Sequence, residues 1–288
     1  MITRIPRGLR IALLLTPALA VVVLLFGGGL LQALAQSLGH RPFLPPAPLG
    51  FDAYRELAAD PAVRASVGLT VRVGLVSTAG AAVLGTAAAL LVASLGRTRR
   101  GFAALLQVTL PVPHIVAALA VTLLLSQSGT VSRLAHAAGL IAEPAGFPAL
   151  TQDAFGWGIV ASYLWKEAPF VAVVVLAALS GRVAALTDAA RVLGANRWQR
   201  VRHVVLPAVA PAVGAASVLV FAFTVGSYEV PFLLGRPFPA TLPVLAYEQF
   251  RDPDLAARPL AMALALVTAL LTGACVAAYV ALTRRLSR

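Results

Sequence analysis

Six apolar stretches, near residues 11–33, 67–95, 102–125, 156–181, 208–235 and 259–283, set what this chain can become. Each is long enough to carry an α-helix across a bilayer core, about 30 Å of hydrocarbon spanned by roughly 20 residues. Inside lipid no water is present to bond the backbone, so a spanning segment closes its N–H and C=O groups within itself. With 59% of 288 residues apolar and 12% charged, a water-soluble domain is excluded. The expected fold class is an all-α integral membrane protein with six transmembrane helices. Arg4, Arg7 and Arg10 precede the first stretch as in a signal peptide, but the stretch runs on too far and lacks a clear small-residue cleavage signal. It is read as a retained helix.

The charge distribution gives the orientation. Lys and Arg total 23 against 11 Asp and Glu, an excess that in a soluble domain would suggest nucleic acid. Here the charges lie in short segments between apolar runs rather than along one face, so no nucleic-acid partner is expected. Assigning the flanks alternately puts fourteen arginines on one side with Asp188 as the only acid, against seven arginines and eight acids on the other. The arginine-rich side holds both termini and the connections between the second and third and the fourth and fifth helices. By the positive-inside rule that side is cytoplasmic.

Local features refine the bundle. Ala81, Gly85, Ala89 and Ala93 recur every fourth residue of the second helix, a smooth stripe suited to close helix packing. Pro111 and Pro113 in LPVPHIV, and Pro231 in the fifth helix, should kink or unwind those helices. The outer loops RPFLPPAPLGFD, EPAGFP and GRPFPATLP are long enough to meet an external partner or simply to connect. Cys275 is the one cysteine, so no disulfide framework exists, and the four histidines lack the spacing of a metal site. No metal is expected.

The fourth-to-fifth connection is a polar segment of 25 residues, RVAALTDAARVLGANRWQRVRHVVL, followed by Pro207. Thr187 can cap a short helix starting at Asp188, Gly194 can supply a left-handed turn, and a second helix can run from about Asn196 until Pro207 stops it. The small residues Ala189 and Ala190 would stand on an exposed knob ringed by arginines. Such a pair suits docking into another protein's groove, or resting on anionic membrane lipid.

This segment resembles the EAA loop of the membrane-spanning permease subunits of binding-protein-dependent ABC importers. Asp188, Ala189 and Ala190, then Gly194, then Val204, Leu206 and Pro207 stand at that family's spacing, with Asp for Glu and Val for Ile, and the resemblance puts Ala195 in the coupling segment as well. The flanking SYLWKEAPFVAVVVLAALS and FTVGSYEVPFLLG are similar to its helices as well. The resemblance implies a permease core over residues 64–288, preceded by an extra helix and outer loop over 1–63. It implies a coupling helix after Asp188, with Arg191 beside it, seated on an ATP-binding cassette subunit. A second permease subunit and an extracytoplasmic solute-binding protein are the other implied partners, and a bacterial or archaeal plasma membrane the implied location. The stretches look closest to the polyamine, thiamine and ferric-iron type of permease. No P-loop is present, since the only lysine, Lys166, stands in WKE, so ATP and magnesium would be used by the partner and this chain would be a transport subunit rather than an enzyme.

Four ionisable residues fall in or near the spans: Arg72, Lys166, Glu167 and Glu229. A charge at the bilayer centre costs roughly 2.5 to 3.5 kcal/mol on insertion scales, so each is a functional candidate. Arg72 can snorkel from the outer end of its helix. Lys166 and Glu167 are adjacent and point apart, serving substrate contact or the bundle itself. Glu229, beside Ser227 and Tyr228, is the foremost pathway candidate and would favour a cation or a polyol; the alternative is a pair with Lys166 or Arg72. An ion-driven secondary transporter and an integral-membrane enzyme are the other classes, the first usually showing repeated halves that are not evident here.

Overall fold

The computed structural model describes residues 7–42, 48–95, 98–179 and 181–286; Arg4, Arg97 and Arg288 lie outside these, as does part of the loop RPFLPPAPLGFD. All regular structure among the described residues is helical. Among the described residues, six helices are long and apolar enough to cross a membrane: Ile11–Ser37, Pro61–Ser94, His114–Ala137, Trp157–Ala178, Arg197–Gly226 and Leu255–Ala281.

In chain order, α1 (Arg7–Val21) and α2 (Gly28–Ser37) form the first crossing, joined by one π-helical turn. Then come α3 (Asp52–Ala59), α4 (Pro61–Ser94), α5 (Arg99–Val108), α6 (His114–Leu125), α7 (Thr130–Ala137) and α8 (Trp157–Ala178). The remainder are α9 (Arg182–Val192), α10 (Arg197–Arg200), α11 (Leu206–Gly226), α12 (Glu229–Leu234), α13 (Leu242–Phe250) and α14 (Arg258–Leu286).

Three expectations about prolines meet three outcomes. Pro111 and Pro113 unwind the chain fully between α5 and α6, because neither supplies an N–H. The third crossing is therefore His114–Ala137 rather than 102–125. Pro207 does not stop its helix. The turn before α11 widens into a π-helix over Val201–Val205, which contains the residue-203 carbonyl that the proline ring would otherwise strike. The fifth crossing consequently starts at Arg197. Pro231 does not kink the fifth helix either: the break lies upstream, at Ser227 and Tyr228, and Pro231 occupies the first turn of α12, where an N–H has no helical partner to miss.

The chain forms two compact units, residues 1–60 with 246–267 and residues 61–245 with 268–288. In the first, Ser37 Oγ and Tyr54 Oη are hydrogen-bonded at 2.8 Å, and the Arg258 guanidinium stacks 4.0 Å over the Phe250 ring. The α1–α2 crossing leaves Leu14, Leu24, Leu25 and Phe26 exposed, an apolar surface that lipid or another helix can cover.

In the second unit α4 packs along α8 and α11. Ala81 and Ala89 are fully buried, whereas Ala93 at the end of the stripe is exposed. Gly85 permits the approach: a Cβ there would lie 2.6 Å from both the Ala168 carbonyl oxygen and the Val171 Cβ. Gly80 and Gly74 do the same against Leu164 and Val225. Around this contact Tyr163, Val171, Val175, Val209 and Val220 are almost completely buried. In lipid such backbone proximity, rather than expulsion of water, holds helices together.

Candidate functional site

Two constellations carry the candidate residues, one in the fourth-to-fifth connection and one at the broken end of the fifth crossing.

In the connection, α9 starts at Arg182, so Thr187 and Asp188 stand mid-helix. Thr187 is not a cap: its Oγ1 donates 2.7 Å back to the Val183 carbonyl, as a hydroxyl does when the preceding turn is already helical. The helix closes on Gly194 in the left-handed region (φ +84°), with Gly194 N–H donating to Arg191 O and Ala195 N–H donating to Ala190 O. This paired closure satisfies carbonyls that the helix end would otherwise leave open. The next helix starts with a capping box, in which Asn196 Oδ1 accepts from Gln199 N–H and Gln199 Oε1 accepts from Asn196 N–H.

The loop is therefore a stiff helix, tight turn and helix rather than a mobile tether. Asp188, Ala189 and Arg191 are exposed, Ala190 and Ala195 partly buried, and Leu206 leads into α11 with Pro207 in its first turn. Sequence reasoning missed what stands beside them. Val192 and Leu193 are 88% and 87% exposed at the tip, and Trp198 is exposed on the following α10. Their signal was the apolar VL immediately before a helix-ending glycine in a polar segment.

At the second constellation α11 ends at Gly226, and Ser227 turns extended before α12 starts at Glu229. Ser227, Tyr228 and Glu229 line a cavity of about 470 Å³ with Ala222, Phe223 and Gly226. Glu229 is exposed and forms no ion pair among the described residues. Tyr228 stacks on Phe232 with ring centroids 5.0 Å apart, and the Ser227 side chain is buried beside the Tyr163 hydroxyl. The cavity thus offers a carboxylate, a hydroxyl and aromatic faces, a donor set that suits an organic cation.

The other three ionisable candidates are engaged elsewhere. The Lys166 ammonium donates to three carbonyls of the unwound segment between α5 and α6, Thr109 at 2.7 Å, Leu110 at 3.1 Å and Val112 at 2.7 Å. Arg72 donates to the Ala154 carbonyl at 2.8 Å and lies 4.9 Å over the Phe155 ring. Glu167 meets His114 Nε2 at 2.8 Å, and the His114 ring lies 4.3 Å from Phe223, which lines the cavity. Sequence reasoning did not single out His114, although its place directly after Pro113 marks it as the first residue of a restarted helix.

Comparison with known proteins adds the family context. The family model described as "Binding-protein-dependent transport system inner membrane component" matches residues 81–288. The chain is similar to the inner membrane ABC transporter permease protein YdcU of Escherichia coli strain K12, with 36% identity over 132 residues, 43% of this chain and 42% of that protein. It is also similar to the putrescine transport system permease protein PotI of the same strain, with 29% identity over 200 residues, 69% of this chain and 66% of that one. The matched part is thus less than two thirds of either relative's length. In fold, it is like a chain in a crystal structure of a bacterial ABC transporter involved in the import of the acidic polysaccharide alginate. That likeness has a TM-score of 0.79 at 21% identity and covers 98% of this chain and 96% of that one. A second structure, of the bacterial alginate ABC transporter in complex with an alginate pentasaccharide-bound periplasmic protein, matches with a TM-score of 0.76 at the same identity and coverage.

Proposed function

The chain belongs to the family of binding-protein-dependent transport system inner membrane components, and from that premise we propose that it is the permease subunit of an ABC importer, coupling solute passage to ATP hydrolysis by a partner. The observation that carries this reading is the stiff helix, turn and helix at residues 182–207 with Val192 and Leu193 standing free at its tip. Two adjacent large apolar side chains that exposed, on a polar segment clear of the apolar crossings, are a docking anchor awaiting a groove.

In this account both termini and the loop are cytoplasmic, as the arginine asymmetry supports. Residues 64–288 form the permease core, and 1–63 add a helix and an outer loop. Each of two permeases seats its loop on an ATP-binding subunit, and closure of those subunits on ATP and magnesium draws the two loops together. Because Gly194 and the capping box make the loop stiff, that motion passes to α8 and α11 rather than being absorbed. A solute-binding protein delivers the substrate on the opposite side; the periplasmic protein in the alginate transporter structure supports this arrangement.

The substrate we assign is an organic cation of the polyamine type. Support comes from the putrescine permease among the relatives and from the Glu229 cavity with its Tyr228 and Phe232 rings. Pull-down of the tagged chain from native membranes in mild detergent tests the assembly: a P-loop ATPase and a second permease should co-purify. Recovery of the chain alone, with uptake that survives ATP depletion, would favour an ion-driven transporter instead.

A further inference from the structure

A second cavity, of about 730 Å³, lies where the second, fourth and fifth crossings end. Arg99, Arg191, Arg197 and Arg200 all line it, and Asp188 is its only carboxylate. None of the four arginines forms an ion pair among the described residues, and the Arg200 Nε is buried without a hydrogen-bond partner. Four like charges around one space repel one another, and a buried guanidinium donor left unbonded costs free energy, unless an anion enters. Apart from Ser94 and Thr187, the rest of the lining is apolar, with Leu90 and Leu91 from α4 and Leu179 just past α8. Ser94 closes the second crossing, Ala178 the fourth, and Arg197 opens the fifth, so the cavity straddles the boundary between hydrocarbon and water.

We propose that this cavity binds the headgroup of an anionic phospholipid, its phosphate among the four arginines and the upper part of an acyl chain against the leucines. The combination selects a lipid over a soluble anion: a free phosphate has no use for the leucine wall, and basic pockets between spanning helices suit anionic headgroups. A protein partner is served by other surfaces of α9. Val183, Ala184, Thr187, Asp188 and Arg191 turn one face of that helix to the cavity, while Leu186, Val192 and Leu193 are exposed away from that lining. The bound lipid would brace α9 against the ends of α4 and α8, so that the loop stays rigid under load. The proposal needs only the membrane crossings and stands apart from the transport reading.

Native mass spectrometry of the full chain, delipidated and then titrated with phosphatidylglycerol or phosphatidylcholine of the same acyl chains, tests it. One phosphatidylglycerol should be retained per chain in preference to phosphatidylcholine. The double variant Arg99→Gln with Arg200→Gln should weaken that first binding event roughly tenfold or more, while the charge-preserving pair Arg99→Lys with Arg200→Lys should keep most of it, separating lost charge from misfolding. Equal retention of the two lipids, or unchanged phosphatidylglycerol binding in the glutamine pair, would overturn the proposal. So would displacement of the lipid by millimolar inorganic phosphate, which would mark a soluble-anion site. A glutamine pair that loses a co-purifying ATPase but not the lipid would identify a protein contact and overturn it equally.

Discussion

His114 Nε2 and Glu167 Oε1 stand 2.8 Å apart, tying the first residue of α6 to the middle of α8. Directly beside that bond, Lys166 caps three carbonyls of the unwound 109–112 segment. The two prolines break the helix, and the adjacent charges on α8 satisfy what the break exposes, as unbonded carbonyls in a membrane interior would each cost several kcal/mol. These charges are thus the condition for the irregular backbone there, and they fix His114, whose ring packs against Phe223 in the wall of the Glu229 cavity.

Replacing Lys166 with Met should therefore destabilise the fold, on the order of 2 kcal/mol, by taking the donor from three part-buried carbonyls, of which the Thr109 carbonyl keeps the Val112 N–H. The readout is a lowered Tm in detergent together with faster proteolysis near residues 109–113. A Tm equal to wild type would show that the three bonds contribute nothing.

Gly85→Ala should cost about 1 to 3 kcal/mol, because the new methyl meets backbone oxygen at 2.6 Å and neither helix can withdraw without opening the α4–α8 contact. Gly101→Ala in α5 is the control: no atom lies within 4 Å of the added Cβ, so stability should hold or rise slightly. Thermal unfolding of the two variants side by side gives the comparison.

Gly194→Val should impair coupling while leaving the membrane bundle intact. The position is open, with nothing within 4 Å of an added Cβ, so the penalty comes from the backbone alone: a β-branched residue resists φ +84°. Substrate-stimulated ATP hydrolysis and uptake should fall severalfold with unchanged expression and monodispersity. Wild-type uptake would mean that the loop tolerates another path.

Glu229→Gln should lower uptake at limiting substrate and leave assembly unchanged, since the carboxylate has no ion pair among the described residues to lose. Uptake of radiolabelled putrescine at concentrations below saturation is the measurement. Equal rates in variant and wild type would remove the carboxylate from the pathway.

The six crossings and the turn at Gly194 were legible because they rest on local signals, namely apolar length and a glycine at a helix end. Where a proline acts was less so. Pro111 and Pro113 unwound their helix as expected, yet Pro207 was absorbed by a π-helical turn and Pro231 by the upstream break at Ser227 and Tyr228. Proline marks a local constraint, while its relief depends on neighbouring turns. Thr187 could have capped a helix at Asp188, but α9 had already started at Arg182 and left its hydroxyl to bond backward. The partners of Lys166 and Glu167 lie more than fifty residues away in sequence, and only the packing of α8 against the third crossing brings them together. Asp188 and Glu229 could be chosen as candidates from residue type and place, whereas the exposure of Val192 and Leu193 depends on how α9 sits on the bundle.

The central claim is that the tip at Leu193 docks on an ATP-binding subunit on the side opposite the outer loops. Photo-crosslinking in native membranes tests it most directly, with a benzophenone side chain placed at position 193 or, for comparison, at the exposed position 140 of an outer loop. The account predicts adducts with a P-loop ATPase from position 193 and none from position 140. An ATPase adduct from position 140, or none from position 193, would contradict it.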